Sequence, residues 1–576
     1  MKKSKTQGNS QKSEWNKVNW RKLEKTVFKL QKRIYQASQR GDVRAVRKLQ
    51  KTLMKSWSAK MLAVRKVTQQ NKGKKTAGID GRKALNDKQR LVLVANLKVY
   101  KRPQPTRRVW IDKPGRKEKR PLGIPTIYDR ALQALAKLAL EPEWEAVFEP
   151  NSYGFRPGRS CHDAISAIYN NINKTPKWVL DADIAKCFDK INHDALLRKL
   201  NTYPTMRRLI RGWLKAGVMD NGTFSTTEEG TPQGGIISPL SANIALHGME
   251  EKIKEYAEIL PSKYGPSKRE RKKSLGLIRY ADDFVIMHKS IEVVEECQRI
   301  INEWLKDIGL ELKPSKTKLV HTSEGFDFLG FNVRQYPVGK HQSKRGFKTL
   351  IKPSKKKVKE HYEQLSRTID RHKAAPQKAL IGHLKPIIRG WCNYNKPVVS
   401  KKTFQKLDNM LWNKLQRWGY RRHPNKSKTW VNRKYWGTKV RKPKNPWEAE
   451  KADNWVFMTK DGNYLSKHSW TEIVRHTKVK ENRSTFDGDL IYWGNRMASH
   501  PELNTTKGKL FKKQKGKCAH CNLLFRSEDL LETHHIVPRS IGGSDKLKNL
   551  ELLHQHCHDT VHGTKVNSIE LDENPF

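Results

Sequence analysis

The chain has 576 residues and a mass of 66.9 kDa, long enough for about three to five structural units. Its 117 Lys and Arg against 57 acidic residues give a formal charge of +60, spread from Lys2 and Lys3 to the run Lys512 to Lys517, and such an excess repels itself unless an extended nucleic acid neutralises it. No run approaches the roughly eighteen apolar residues of a membrane span, Met1 to Trp15 lacks a signal peptide's apolar centre, and the scattered cysteines do not form a secreted disulfide framework, so a soluble, cytosolic protein with no membrane partner is expected.

Leu23, Val27, Leu30 and Ile34, then Val43, Val46, Leu49 and Leu53, recur at helical spacing. With Gly41-Asp42 as the break, they predict a helical hairpin with a basic outer face. A Lys/Gly-rich loop from Asn71 to Gly81 leads into a mixed α/β region that continues to about Val333. Its strand candidates are Arg108 to Ile111, Trp178 to Leu180, and the apolar flanks of Tyr280-Ala281-Asp282-Asp283. Past the Pro/Gly-containing Tyr336 to Lys348 stretch the pattern turns helical, with one stripe at Leu380, Leu384, Ile387, Trp391 and Tyr394 and another at Phe404, Leu407, Leu411, Leu415 and Trp418. Residues 425–504 are Lys-, Trp- and Asn-rich with weak periodicity and predict no fold. A compact unit begins near Lys507.

Three elements carry chemistry. Asp282 and Asp283 sit at the tip of a predicted hairpin, where hard carboxylate oxygens can hold Mg²⁺ and leave positions for water and phosphate. Two-metal phosphoryl transfer needs a further carboxylate, and Asp183 stands at the end of the apolar run from Trp178; Asp181 and Asp189 are read as surface charges or caps. Gly230-Thr231-Pro232-Gln233-Gly234-Gly235 allows close backbone approach, with Gln233 able to donate and accept toward a nucleotide; a simple turn is the competing reading. At the C-terminal end, Cys518 and Cys521 are spaced like His554 and Cys557, which suits a tetrahedral structural zinc site in a unit with little apolar core. His558 and His562 would share a helix face.

In their order these motifs resemble the palm of a group II intron-encoded reverse transcriptase. Further matches are Arg120-Pro121-Leu122-Gly123-Ile124-Pro125-Thr126, Asn151 to Ser160, Lys313 to Lys318 and Phe328-Leu329-Gly330-Phe331. Ile388 to Tyr394 resembles the family's maturase-specific thumb, and the C-terminal unit resembles an HNH endonuclease. The resemblance implies a multidomain α+β chain: a right-hand reverse transcriptase with fingers and a palm on an antiparallel sheet, an α-helical thumb and maturase domain, and a small ββα-metal HNH zinc module. The implied organisation is 1–70, an N-terminal helical extension that binds RNA; 71–340, fingers and palm; 341–425, thumb and maturase domain; 426–506, a DNA-binding region around Trp430 to Trp436 and Ile491 to Arg496; and 507–576, the endonuclease.

By the same resemblance Asp183, Asp282 and Asp283 hold two Mg²⁺ ions, Arg107, Lys113 and Arg120 grip the dNTP triphosphate, Phe188 senses the sugar's 2′ position, and Gln233 lines the nascent base pair. Asp112 stands where the family often has proline. In the nuclease His535 would activate water, Asn549 would orient it, and His534, His558 and His562 would hold a divalent metal; Cys518, Cys521, His554 and Cys557 would hold zinc, with His554 where related modules commonly have cysteine. The implied function is threefold: RNA-directed DNA polymerase, maturase for the intron RNA, and endonuclease cutting the second strand of a DNA target to prime copying. Expected partners are the intron RNA, the DNA target and dNTPs, as monomer or homodimer, in a bacterial cytoplasm at the nucleoid or in an organelle. A non-enzymatic splicing factor and a domesticated or defence-associated reverse transcriptase are the alternatives.

Overall fold

The computed structural model describes residues 14–99, 102–112, 119–441, 451–480, 482–498, 505–525 and 529–562. The N-terminal periodicity forms the helix Trp20–Gln39, capped where the Asn19 side chain accepts from Lys22 N, and the helix Val43–Lys55, capped by Asp42 on Ala45 N. Gly41 supplies the break at φ 70°. A third helix, Trp57–Arg65, runs into a π-helical turn, Lys66–Gln70. All pack on Ile127–Val147, an Ala/Leu-rich helix, with Gln31 Nε2 donating to Leu138 O at 3.0 Å.

The fingers carry strands β1 (Thr106–Asp112) and β2 (Lys119–Ile124), and the palm begins with β3 (Trp178–Asp183). Short strands β4 (Val218–Asp220) and β5 (Thr223–Ser225) complete the fingers sheet in the order β2-β1-β4-β5. Strands β6 (Gly276–Tyr280), β7 (Asp283–His288) and β8 (Lys318–His321) join β3 in an antiparallel palm sheet ordered β6-β7-β3-β8. Successive side chains of a strand point to opposite faces. Leu180, Leu277, Phe284 and Ile286 therefore enter one core, beneath the helix Ile291–Lys306, while Val179, Ile278, Val285 and Met287 enter another that includes Ile165 and Ile168 of the helix Cys161–Ile172.

Strands β9 (Phe326–Phe328), β10 (Phe331–Pro337) and β11 (Phe347–Pro353) make a sheet ordered β11-β10-β9. The Tyr336 to Lys348 stretch is thus the tip of the β10–β11 hairpin, so a boundary at 340 falls inside one structural unit. The helices Lys355–Arg371, Gln377–Asn395 and Lys401–Arg422 follow. Their buried stripes join Val431, Tyr435, Trp436, Phe457 and Leu465 in a single cluster, so the thumb's core continues past 425 through the helix Lys428–Tyr435 and the hairpin β12 (Trp436–Arg441) and β13 (Lys451–Phe457).

Beyond Leu465 the chain runs back from thumb to palm, held by buried polar anchors. His468 Nδ1 meets Asp408 Oδ1 at 2.8 Å and its Nε2 meets His361 Nε2 at 3.0 Å. Asp163 accepts from His476 Nε2 at 3.0 Å, from Val479 N at 2.8 Å and from Arg496. Trp493 lies against Gly158, where φ is +71° and an added Cβ would stand 2.4 Å from the indole; at that φ and in that space only glycine fits. The last unit pairs β14 (Leu531–His535) with β15 (Leu550–His554) and ends in the helix Gln555–Val561, a ββα arrangement. Among the described residues no helix is long and apolar enough to cross a membrane.

Candidate functional site

The antiparallel register places Asp183 directly opposite Asp283. Asp282 is one residue away in the turn between β6 and β7, where Ala281 adopts φ 59°. Its carbonyl accepts from Ile184 N at 3.2 Å, joining that turn to the segment after β3. Burial, then the charges of Asp282 and Asp183, push the Asp283 carboxyl up to about 7; burial also raises Asp282. Such mutual repulsion is what cations relieve. Lys316 pairs with Asp183 and partly offsets it. Two carboxylates opposed across two strands, with a third in the adjoining turn, are hard oxygen donors of the kind that fits Mg²⁺.

The turn is braced from below. Arg279, 1% exposed, donates to Ala281 O and Asn243 Oδ1, each at 3.2 Å, and to Ser152 Oγ at 2.8 Å, with Glu149 Oε2 at 3.9 Å. Gly154 abuts the turn so closely that a Cβ there would lie 2.3 Å from Ala281 N, and Asn243 Nδ2 donates to Gly154 O at 2.8 Å. Sequence reasoning missed Arg279, although a charged residue inside an apolar strand run was a usable signal.

Around the carboxylates, Phe188 meets Phe155 edge-on at 5.9 Å, and Phe155 is half exposed at φ 58°. The Gln233 side chain donates to the Asp189 carboxylate at 3.2 Å, while its backbone carbonyl accepts from Gly123 N at 2.7 Å, tying the glycine loop to β2. Arg107 pairs in register with Ile124, and Arg120 with Ile111. Paired residues share a face, so both arginines lie on the same side of the fingers sheet; Arg107 Nε also donates to Ala77 O at 3.0 Å. Lys113 lies outside the described residues.

The C-terminal unit holds two further clusters. The ligand atoms of Cys518, Cys521, His554 and Cys557 all lie within 4.8 Å of one another, as do those of His534, His558 and His562. His554 Nδ1 faces Cys521 Sγ at 3.4 Å, leaving Nε2 on Asp529 Oδ2 at 3.3 Å. An imidazole fixed by an outer carboxylate is the usual second shell of a zinc ligand, so the set fits Zn²⁺. In the second cluster His534 Nδ1 is 3.0 Å from His562 Nε2, and its Nε2 is 4.0 Å from Glu551. Burial, then the neighbouring histidines, lower the His534 pKa, which keeps the ring available as a metal ligand.

His535, adjacent on β14, meets Asp545 Oδ1 at 2.8 Å through Nε2. Asn549 is bonded to the chain beyond it: its Oδ1 accepts from Val537 N at 2.9 Å, and its Nδ2 donates to Val537 O and Ser544 O at 3.0 and 2.9 Å. The imidazole partner is therefore Asp545, which sequence reasoning missed, while Asn549 fixes the loop.

Four family models match the chain in order: the N-terminal domain of reverse transcriptase over 15–97, reverse transcriptase (RNA-dependent DNA polymerase) over 111–333, the group II intron maturase-specific domain over 358–436 and HNH endonuclease over 518–564. Among curated proteins it is similar to the group II intron-encoded protein LtrA of Lactococcus lactis subsp. cremoris, 34% identical over 328 residues, covering 46% of this chain and 53% of LtrA. It is also similar to protein YkfC of Escherichia coli, 33% identical over 309 residues, 46% of this chain and 78% of that protein. A third relative, an uncharacterized 91 kDa protein in the cob intron of Schizosaccharomyces pombe, is 31% identical over 52% of this chain and 44% of that protein. The chain thus spans about half the length of LtrA.

Proposed function

The chain belongs to the group II intron-encoded proteins, and we propose that it is an RNA-directed DNA polymerase, a maturase for its intron's RNA and a DNA endonuclease in one polypeptide. The observation that carries this reading is the juxtaposition of Asp183 and Asp283 across β3 and β7, with Asp282 in the adjoining turn, in a chain that also carries the maturase-specific and nuclease segments. In the polymerase, Mg²⁺ would activate the primer hydroxyl and stabilise the departing pyrophosphate. Asp183, Asp282 and Asp283 hold the ions, and Arg107, Arg120 and Lys113 take the triphosphate charge of the dNTP. Phe188 occupies the position that reads the sugar, and Gln233 borders the nascent base pair.

In the nuclease His535 takes the proton of the attacking water, His534, His558 and His562 hold the divalent metal, and Cys518, Cys521, His554 and Cys557 hold a structural Zn²⁺. The intron RNA is bound by basic helical faces of the thumb and the N-terminal extension, the DNA target by residues 426–506. The protein works where its intron is transcribed, at a bacterial nucleoid or in an organelle, as monomer or homodimer.

The test is to isolate the full chain with its copurifying RNA, sequence that RNA and supply a primer and dNTPs. The expected result is one enriched intron RNA and cDNA copied from it. Bound intron RNA without cDNA would leave a splicing factor and remove the polymerase from the proposal.

A further inference from the structure

The helix Trp57–Arg65 ends in a cation that belongs to another unit's metal centre. Arg65 is 3% exposed. Its Nη2 lies 2.8 Å from His556 Nε2 and 3.7 Å from Cys557 Sγ, and its guanidinium stacks over Trp20 at 4.3 Å. Its Nε and Nη1 are buried without hydrogen-bond partners, and among the described residues no carboxylate pairs with it. A buried cation lacking a counter-charge is costly. The anionic groups within its reach are the thiolates of the cysteine cluster: three thiolates, one neutral imidazole and Zn²⁺ leave a net charge of about −1.

A second route joins the same two units. Lys66 Nζ is 3.6 Å from Asp529 Oδ1, while the other oxygen of Asp529 meets His554 Nε2 at 3.3 Å. Leu524 N donates to Glu24 Oε2 at 3.0 Å, and Leu523, 3% exposed, is buried in the core of the polymerase. The zinc cluster therefore lies in the joint between the nuclease unit and the N-terminal helices, not at the middle of a free-standing module.

We propose that Arg65 is the outer-sphere counter-charge of the zinc centre, so that zinc occupancy and docking of the nuclease unit on the polymerase stabilise each other. The inference rests on reading Cys518, Cys521, His554 and Cys557 as a zinc site. Loss of zinc frees the loop that carries Cys518 to Leu524, and with it the contacts of Leu523 and Leu524 with the N-terminal helices; undocking removes Arg65 and its cover from the cysteine cluster. Lys66 transmits the same coupling through Asp529.

The experiment uses the full chain. Its zinc content is measured by mass spectrometry, zinc release is timed with a chromogenic chelator, and amide exchange is followed in residues 57–70 and, as an internal control, 178–183. Arg65→Gln should release zinc at least about tenfold faster than wild type, in the range typical of outer-shell substitutions. Arg65→Lys should fall between, and Lys74→Ala, which breaks the 3.9 Å exposed pair with Asp559, should not change the rate. Zinc-stripped wild type should gain exchange in 57–70 and none in 178–183, a reading that needs no variant to fold. Equal release rates for wild type and Arg65→Gln, or unchanged protection of 57–70 after stripping, would overturn the coupling alone. Wild type purified without zinc would overturn the reading of the centre and the coupling with it.

Discussion

The palm and the nuclease unit both present acid or histidine side chains for divalent metal, yet they hold them in opposite ways. In the palm every support is buried: Arg279 under the turn, Gly154 against it, and two cores on either face of the sheet. In the nuclease the catalytic candidate His535 is half-buried, and its partner Asp545 is 65% exposed. The unit's core cluster consists of a few side chains and includes Cys518 and Cys557, two of the proposed zinc ligands. Geometry in the first comes from packing and in the second, on the proposed reading, from ligation, so the two should fail under different insults.

The sharpest break is chemical. Asp282→Ala removes a carboxylate from the polymerase centre and should cut primer extension by at least about 10⁴-fold, as loss of a central catalytic group does. Nicking of the DNA target and RNA binding should persist, and equal loss of all three would show that the sites are not separable. The reciprocal variant, His535→Ala, should lower second-strand cleavage by about 10²–10⁴-fold while primer extension continues at the wild-type rate. Persistent cleavage would remove His535 from the mechanism.

A smaller effect probes the supports. Arg279→Met leaves Asn243, Ser152 and Glu149 without their shared donor and should cost about 3–5 kcal/mol, the usual result of breaking a buried ion pair from one side. Thermal unfolding of the polymerase should register it, with nicking by the folded fraction unchanged. Where the chain beyond Leu465 returns to the palm, burial alone would raise Asp163, but the hydrogen bond from His476 and the charge of Arg496 prevail and hold its carboxyl well below the usual range. A depressed folded pKa means that its stabilisation is fully present above the unfolded value, about 3.9, and is lost as pH falls below it. Acid should thus loosen residues 468–496 before the palm sheet, and Asp163→Asn should abolish that pH dependence. Amide exchange from about pH 5 down to about pH 2, across the unfolded value, distinguishes the two.

The same contrast explains what the chain's letters disclosed. Asp282 and Asp283 were legible because largely apolar strands flank them, and the Cys/His cluster because the members of each pair are three residues apart. The partners of Arg279 were not, since Ser152 lies 127 residues from it and Asn243 36; nor was the partner of Arg65, His556, 491 residues away. Strand β11 went unread because Lys348 and Lys352 interrupt a sheet with only one covered face. The periodicity of residues 425–504 is weak, and from His468 to Arg496 the described residues are held to thumb and palm by single His–Asp and Arg–Asp anchors. Asn549 was found, but what it touches depends on a loop whose course no spacing predicts.

That loop gives the finest test. His535 has two supports: an exposed carboxylate, Asp545, bonded to its ring and also paired with Arg539, and Asn549, whose side chain makes three bonds to the loop backbone. Water can replace much of what an exposed carboxylate provides. Asp545→Ala should therefore lower cleavage by no more than about tenfold, near the low end for an outer partner of a catalytic group. Asn549→Ala removes bonds that set the chain beyond β14 and should cost more than Asp545→Ala under the same assay. If ligation and loop geometry place this site, that order holds; the reverse order would mean that the side-chain carboxylate positions the imidazole, and the nuclease would resemble the palm more closely than its exposure suggests.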